Sequence, residues 1–472
     1  ATHSTTKGTP LVSTTQLSAK YRRDRATSTV AAFGAVMTSS APVAMGFTAI
    51  PGAEHFGVTT AQYLIYFTLF LVTAALTFSV MGRLITRFGV RAVLISTGTL
   101  ASLAGVGMAF SPNIYVFYLF AFVLGLGAAG NNLLPAKTLV VGWHVHKRRG
   151  TVLGFVATGG ATGGLLIGLI FPSVMAAGGF VGGWLAIAAM AFVCSVVTGI
   201  FLAKNPPIDH EEGAGDEAAG EEEAVHPATK NGRKALIKGF GFTIVLLAIG
   251  SFLFSLEGAF GSVQAAVYPT FGIDLSTAGL MIAFYSVCGI VAKPLLGIMH
   301  DKLGMKPLFV ALTVLFILGM PALALTMQMG WNLMFPILAI SAISLSIPGV
   351  IIPLVAVNAA GRERFATIYG FMLTGSYTGT GIGVPLWGLV YDITGAFTLA
   401  MYVGGAAGLI GLALAYIGLQ RGIKTRAAMN ESSTTGIFLP DGTEASTAER
   451  NAAGTGAGAR DTTGAAEEVA SS

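Results

Sequence analysis

The chain has 472 residues, of which 53% are hydrophobic and only 10% are charged, and its mean hydropathy is +0.73. A soluble globular protein carries about 25% charged residues, so this composition excludes a soluble domain and predicts a membrane protein. The formal net charge is +5, but the Lys and Arg residues form short clusters beside apolar segments. The positive-inside rule explains this pattern more simply than nucleic-acid binding does, and we expect no nucleic-acid partner.

The first 26 residues form a polar segment that is rich in Ser and Thr and then basic, with no apolar run inside it. Because the first apolar run follows as a full-length span, this segment does not have the pattern of a cleaved signal peptide. We predict a disordered cytoplasmic tail at residues 1–26.

Apolar segments of about 20 residues, each long enough to cross about 30 Å of hydrocarbon, recur through the rest of the chain. Six of them lie at 28–51, 60–82, 92–110, 114–141, 150–174 and 180–203. Six more lie at 238–267, 276–299, 307–328, 331–357, 365–391 and 396–420. The sequence therefore predicts an all-α membrane protein with twelve transmembrane helices. They are arranged as two six-helix bundles, at residues 27–203 and 236–420.

The polar segments between and after the bundles carry 15 of the 22 Asp and Glu residues. The linker at 204–235 contains an acidic run, and the last segment, 421–472, is rich in Ala, Gly, Ser, Thr and Glu. A segment of this composition buries too little apolar surface to offset the entropy of ordering. We predict that 421–472 is disordered.

The basic clusters predict the orientation of the protein in the membrane. Under the predicted topology they all fall on one side of the membrane, and the connections on the other side carry no Lys or Arg. The positive-inside rule then places both termini in the cytoplasm. We expect a multi-pass protein of the plasma membrane.

A charged turn occurs at the same place in each half. The first is made of Gly82, Arg83, Arg87, Gly89 and Arg91. The second is made of Gly297, Asp301, Lys302, Gly304 and Lys306. The two opening glycines are 215 residues apart (297 minus 82), which indicates that the halves are related repeats.

Two bundles, a polar linker and these turns together resemble the major facilitator superfamily over residues 27–420. The resemblance implies a transporter that works by alternating access, as a monomer, with the two turns acting in gating. The second turn matches the family pattern, whereas the first has Thr86 in place of the usual acidic residue. Any gating ion pair built from the first turn is therefore in doubt.

Three short segments resemble one group within that superfamily, the oxalate/formate antiporters and monocarboxylate transporters. They are GWHVHKRRG at 142–150, FGVTTAQYLIYFTLF at 56–70 and GIVAKPLLGIMHD at 289–301. In the third, Lys293 stands where the group has an arginine that binds the substrate carboxylate. The second cation of oxalate carriers has no counterpart near Ser376 and Tyr377, which favours a monoanion.

Three charged residues lie inside predicted spans rather than at their first or last residue, where charge is costly and usually functional. Lys293 should face a water-filled cavity and bind an anion, although a lysine can also snorkel to the interface. Glu257 could carry a proton, or could equally be a glutamate that is hydrogen-bonded near the mouth of the protein. Lys137 lies close to a basic loop, which favours snorkelling.

Together these observations predict a secondary active transporter for a small, monocarboxylate-like organic anion in the lipid bilayer. The expected substrate-binding residues are Lys293, Asn131, Tyr285, Ser376 and Tyr377. Proton symport through Glu257 is expected ahead of exchange for a counter-anion. A drug exporter of the same fold, centred on Glu257, is the main alternative. No nucleophile with a base, no metal-ligand cluster and no nucleotide-binding motif is evident, so we expect neither an enzyme nor a cofactor.

Overall fold

The computed structural model describes residues 14–131, 133–143, 149–205, 240–329, 334–345, 347–361 and 364–435. These residues form helices joined by short turns. In the first half, α1 is Thr14–Met37 with Ala41–Gly46, followed by Ala49–Phe56; α2 is Thr60–Phe88; α3 is Val90–Ala109; α4 is Ile114–Ala129 with Leu133–Trp143. Helix α5 comprises Arg149–Ala157 and the part of Gly159–Ala191 before the break at Gly179. Helix α6 comprises the rest of Gly159–Ala191, a π-helical turn at Phe192–Val197, and Thr198–Phe201.

In the second half, α7 is Gly241–Gly258 with Phe260–Val267; α8 is Leu275–Leu303; α9 is Met305–Leu318 with Met320–Met329. The remaining helices are α10, Met334–Leu345 with Ile347–Ala360; α11, Phe365–Thr394; and α12, Thr398–Thr435. The predicted twelve-helix fold is confirmed in this part of the chain.

Within the described residues, length and apolarity alone identify eight segments that could each cross a membrane. One of them, Val152–Phe201, has 50 residues and contains two spans, because Gly179 breaks the helix with φ 53° and ψ −145°. The eight segments therefore contain nine spans, and helices α4, α10 and α11 bring the number of spans to twelve. Two of these three are interrupted, which is why each of their pieces is too short to qualify alone.

Local sequence explains where several helices begin. Thr59 and Gln62 form a reciprocal capping box at the start of α2, and the Asn113 side chain accepts from two backbone N–H groups at the start of α4. Asp274 accepts from the Thr277 N–H at the start of α8. These side chains satisfy N–H groups that have no partner within the helix.

The repeat is visible in the backbone. Gly89 joins α2 to α3 with φ 80°, and Gly304 joins α8 to α9 with φ 78°. They are 215 residues apart (304 minus 89). Both adopt a positive φ that disfavours any residue with a Cβ. The two charged turns therefore have a common conformation at their second glycine.

Two parts of the predicted tails are helical, which corrects the predicted boundaries of disorder. Helix α1 begins at Thr14, inside the segment 1–26, and α12 continues to Thr435, inside the segment 421–472. Both extensions contain good helix formers such as Ala, Arg and Lys. Adding such residues to an existing helix avoids the unfavourable nucleation step. Residues 1–13, 206–239 and 436–472 lie outside the described part of the chain.

The buried apolar residues show how the bundles are joined. At the end of the protein where α2 begins and α11 ends, one continuous cluster joins side chains of both bundles, including Tyr63, Trp184, Tyr268 and Trp387. At the other end the core is divided into one cluster within each bundle. We call this second end the basic end, because it carries the charged turns. The bundles are therefore packed together at the opposite end and separate towards the basic end.

In the part of the chain that the structure describes, the main contacts between the bundles are α2 with α11, α5 with α8, and the end of α1 with the second part of α7. Glycines allow close approach in these contacts. A Cβ on Gly279 of α8 would lie 2.3 Å from the carbonyl oxygen of Gly168 in α5. A Cβ on Gly46 of α1 would lie 2.4 Å from the carbonyl oxygen of Ser262. No side chain fits at either position without separating the backbones.

Candidate functional site

Four residues predicted to bind the substrate lie at a similar depth. Lys293 is ten residues from the basic end of α8 (303 minus 293). Ser376 and Tyr377 are eleven and twelve residues from the start of α11 at Phe365, and Asn131 is twelve residues from Trp143 at the end of α4. At 1.5 Å per residue, each is about 15 to 18 Å from the basic end. They form a layer near the middle of the protein.

Lys293 lies on the face of α8 that turns towards the first bundle. It follows Ser286 by seven residues, or two helical turns, and a Cβ on Gly164 of α5 would lie 2.6 Å from the Ser286 Oγ. The exposed residues Val291 and Leu295 are each two positions from Lys293, which places them about 200° away around the helix. Lys293 is therefore on a different face from these exposed apolar side chains.

The side chain of Lys293 is itself exposed, because α5 does not cover it as it covers Ser286. Nearer the basic end, the first segment of α5, Arg149–Ala157, makes no extensive contact with α8, whereas the segment that begins at Gly159 does. The helices that touch at Gly164 and Ser286 have thus separated at the depth of Lys293. An exposed ammonium between two separated bundles can attract an anion from water.

Ser376 is engaged inside the second bundle. Its hydroxyl lies 2.6 Å from the Ser255 hydroxyl of α7, and the nearby Thr380 hydroxyl donates to the Ser255 carbonyl at 3.4 Å. These contacts join α7 to α11. Ser376 does not line the cavity described next.

Asn131 and Tyr377 are brought together by a cavity of about 300 Å³. Its walls come from helices α1, α2, α3, α4 and α6 of the first bundle, with Tyr377 contributed by α11 of the second. Tyr377 also packs against Phe78 of α2, with ring centroids 5.7 Å apart. Lys293 and Tyr285 are not among the lining residues. The structure therefore groups two of the five predicted binding residues in one cavity.

Glu257 and Tyr285 form a second, deeper group. Glu257 is 1% exposed and lies sixteen residues into α7 (257 minus 241), about 9 Å farther from the basic end than Lys293. Tyr285 of α8 is close enough to Glu257 to interact with it electrostatically. A carboxyl group buried within a span is costly to keep charged, so Glu257 is a candidate to take up a proton.

The charged turns act within their own bundles where the structure describes them. The Arg91 guanidinium donates to the carbonyls of Gly199 at 3.2 Å and Ile200 at 2.8 Å, at the end of α6. The Arg91 backbone N–H donates to Asn205 at 3.1 Å. This arginine therefore stabilises the α2–α3 turn against α6.

The structure describes fewer contacts for the other residues of the turns. Arg83, Arg87, Lys302 and Lys306 are exposed, and the Arg87 guanidinium lies 5.3 Å from the centre of the Phe88 ring. The side chains of Asp301, Thr86 and Lys137, and the surroundings of Gly82 and Gly297, lie outside the described set. The gating role of these turns stays a prediction.

Sequence analysis missed two groups of residues. Thr38 and Ser39 line the cavity at a break in α1, and the polar run Thr38 to Ser40 followed by Pro42 inside an apolar span could have indicated them. The second is Asp392, which follows the span predicted at 365–391. Its carboxylate accepts from the backbone N–H groups of Thr60 and Ala61 in the opposite bundle, a contact that no local pattern indicates.

Comparison with known proteins agrees with this geometry. The family model described as Major Facilitator Superfamily matches residues 26–268 and 245–450, which together cover most of the chain. The chain belongs to the Major Facilitator Superfamily.

Two relatives show the range of cargo within this superfamily. The chain is 23% identical to monocarboxylate transporter 4 of Gallus gallus over 333 residues, covering 68% of this chain and 67% of the relative. It is 24% identical to multidrug resistance protein MdtG of Rahnella sp. (strain Y9602) over 382 residues, covering 78% and 87%. Members of the superfamily are integral membrane transporters, and this chain is one of them.

Solved structures support the fold. A bacterial homologue of the human lysosomal transporter Spinster, in an inward-facing and unoccupied conformation, matches with a TM-score of 0.62 at 15% identity and covers 86% of this chain and 98% of its own. The nucleoside transporter NupG, solved as a point mutant, matches with a TM-score of 0.63 at 11% identity and covers 84% and 99%. At these identities the similarity shows the shared fold alone.

Proposed function

We propose that this protein is a secondary active transporter for a small organic anion with one carboxylate, which binds at Lys293. The observation that carries the proposal is the position of Lys293 on the α8 face that turns towards the first bundle, exposed where α5 and α8 separate. A cation is costly at mid-membrane depth, so a water-filled space and an anionic cargo account for its presence there.

In the predicted orientation the basic end faces the cytoplasm, so this conformation is open to the cytoplasm and closed to the outside. An anion enters between the bundles and neutralises Lys293. The bundles then rock about the layer formed by Asn131, Lys293 and Tyr377. Glu257 takes up a proton for each cargo molecule, and Tyr285 interacts with it electrostatically.

The decisive experiment is uptake of labelled monocarboxylates into proteoliposomes, with and without a pH gradient. We expect Lys293→Gln to abolish uptake and Lys293→Arg to retain part of it, since arginine keeps the charge. Lys424→Gln removes an exposed lysine of α12 that lies outside both charged turns and is the matched control. Equal uptake by the native chain and Lys293→Gln would refute the assignment of the anion site.

A drug exporter is the second candidate, favoured by the similarity to MdtG and by the buried carboxyl group of Glu257. In that case a cationic or neutral cargo would depend on Glu257 and tolerate Lys293→Gln. Exchange of two anions is a third possibility within the first proposal. It predicts uptake that requires a counter-anion inside the vesicle and is insensitive to pH.

A further inference from the structure

The cavity of about 300 Å³ in the first bundle is a poor site for a charged group. Its walls are mainly aliphatic and aromatic, including Phe70, Phe78, Leu124, Ile187 and Met190. None of the residues that line it, all within the described chain, carries a charge. An anion placed there would lose its hydration without gaining a counter-charge.

The hydroxyl groups of the α1 residues that line the cavity already donate hydrogen bonds within the protein. The Thr38 hydroxyl lies 2.7 Å from the Ala35 carbonyl and 2.5 Å from the Asn131 carbonyl. The Ser39 hydroxyl donates to the Val36 carbonyl at 2.7 Å. Neither hydroxyl has a second hydrogen to offer to a ligand.

Asn131 is similarly engaged. Its side-chain NH₂ donates to the Gly127 carbonyl at 3.3 Å, and its side-chain oxygen accepts from the Thr97 hydroxyl at 3.3 Å. Asn131 is 3% exposed. The polar part of the wall is therefore largely satisfied, and the cavity presents mostly hydrocarbon to an occupant.

The size of the cavity limits what fits. An apolar cavity of about 150 Å³ is enough to bind benzene, so 300 Å³ has room for an aryl ring or a branched chain of similar size. Tyr377, from the opposite bundle, forms part of the wall, so the cavity lies at the interface that must rearrange during transport. An occupant of the cavity is therefore in contact with both bundles.

We propose that this cavity binds an apolar group of the cargo, so that the transported molecule is a carboxylate with an aryl or aliphatic tail rather than an anion of the size of formate or oxalate. The assignment of a carboxylate to the cargo rests on the proposed function, whereas the assignment of an apolar tail rests on the cavity alone. An experiment can therefore refute either assignment without the other.

Binding to the purified full chain in lipid nanodiscs tests the proposal, with empty nanodiscs subtracted because longer acids partition into lipid. The probe is labelled phenylacetate, and acetate, butanoate, hexanoate and phenylbutanoate are the competitors. Each methylene that enters an apolar site should increase affinity about fourfold. The proposal is overturned if acetate competes as well as hexanoate does.

Two variants test whether the dependence of affinity on the length of the acid comes from this cavity. Ala128→Phe places a ring inside the cavity and should remove the advantage of the longer acids, while acetate affinity changes by less than about twofold. Met190→Ala enlarges the cavity and should favour phenylbutanoate over acetate, a gain that misfolding cannot produce. Leu119→Phe, at a 61% exposed position on the same helix as Ala128, is the matched control. Equal effects of Ala128→Phe on all acids would contradict the proposal.

The variant Lys293→Gln tests the anion site and the apolar site separately. If it weakens every acid by a similar factor and leaves the chain-length dependence intact, both the anion site and the apolar site are supported. If it has no effect while the chain-length dependence persists, the anion site is wrong and the apolar site stands. If it weakens binding but no chain-length dependence exists, the apolar site is wrong and the anion site stands.

Discussion

The carboxylate of Asp392, at the end of α11, accepts a hydrogen bond of 2.9 Å from the backbone N–H of Thr60, in the first turn of α2. A second bond of 2.8 Å comes from the N–H of Ala61. The two helices belong to opposite bundles. A negative charge at a helix N-terminus is favourable because it meets unpaired N–H groups and the positive end of the helix dipole. This contact can exist only while the bundles are packed at the end opposite the basic end.

Replacing Asp392 with Asn should therefore shift the protein towards the alternate conformation. The neutral amide keeps the size but loses the charge, at a cost of about 1 kcal/mol to the observed conformation, which changes the ratio of states a few-fold. Spin labels at Pro112 and Ala396, on connections of opposite bundles, should show a larger population of long distances in electron spin resonance.

Asp274 provides the control for that experiment. It also accepts from a helix N-terminus, through the Thr277 N–H at 2.9 Å, but that helix belongs to its own bundle. Asp274→Asn should leave the label distances unchanged. An unchanged distance distribution in Asp392→Asn as well would show that the contact does not select between conformations.

Gly279 should be sensitive to a single added methyl group. A Cβ at this position would lie 2.3 Å from the Gly168 carbonyl oxygen and 2.4 Å from Pro172, so Gly279→Ala must separate α5 from α8. Overpacking of this kind typically costs about 1 to 3 kcal/mol. We expect slower uptake with little loss of folded protein, because the strain falls on a contact between bundles. Gly258→Ala, where no atom lies within 4 Å, should transport normally.

Glu257→Gln should uncouple transport from protons. The amide cannot take up a proton, so accumulation driven by a pH gradient should be lost, while exchange of labelled for unlabelled cargo at equal pH continues. Glu54→Gln, at an exposed acidic residue, should retain both activities. Full accumulation by Glu257→Gln would mean that another group carries the proton.

Sequence was sufficient for the twelve helices because each span must be apolar over about 20 residues, a signal that is local. It also placed Lys293, Glu257 and Lys137 within spans, since position along a span gives depth directly. It could not indicate rotation about the helix axis relative to a neighbour. The Asp392–Thr60 contact joins residues 332 positions apart (392 minus 60), and it depends on how two bundles dock. The cavity was missed for the same reason, because its walls come from six helices.

Asp274 gives a prediction about pH and stability. Hydrogen bonds from the Ser276 hydroxyl and then from Thr277 hold the pKa of the Asp274 carboxyl well below its ordinary value. A lowered folded-state pKa contributes stability that is complete above the unfolded-state value, about 4, and is lost as pH falls below it. Asp274→Asn should therefore lower the Tm by the same amount at pH 5 and pH 8, and by less below pH 4. Differential scanning fluorimetry of the native chain and the variant measures this. A difference in Tm that grew between pH 8 and pH 5 would contradict the lowered pKa.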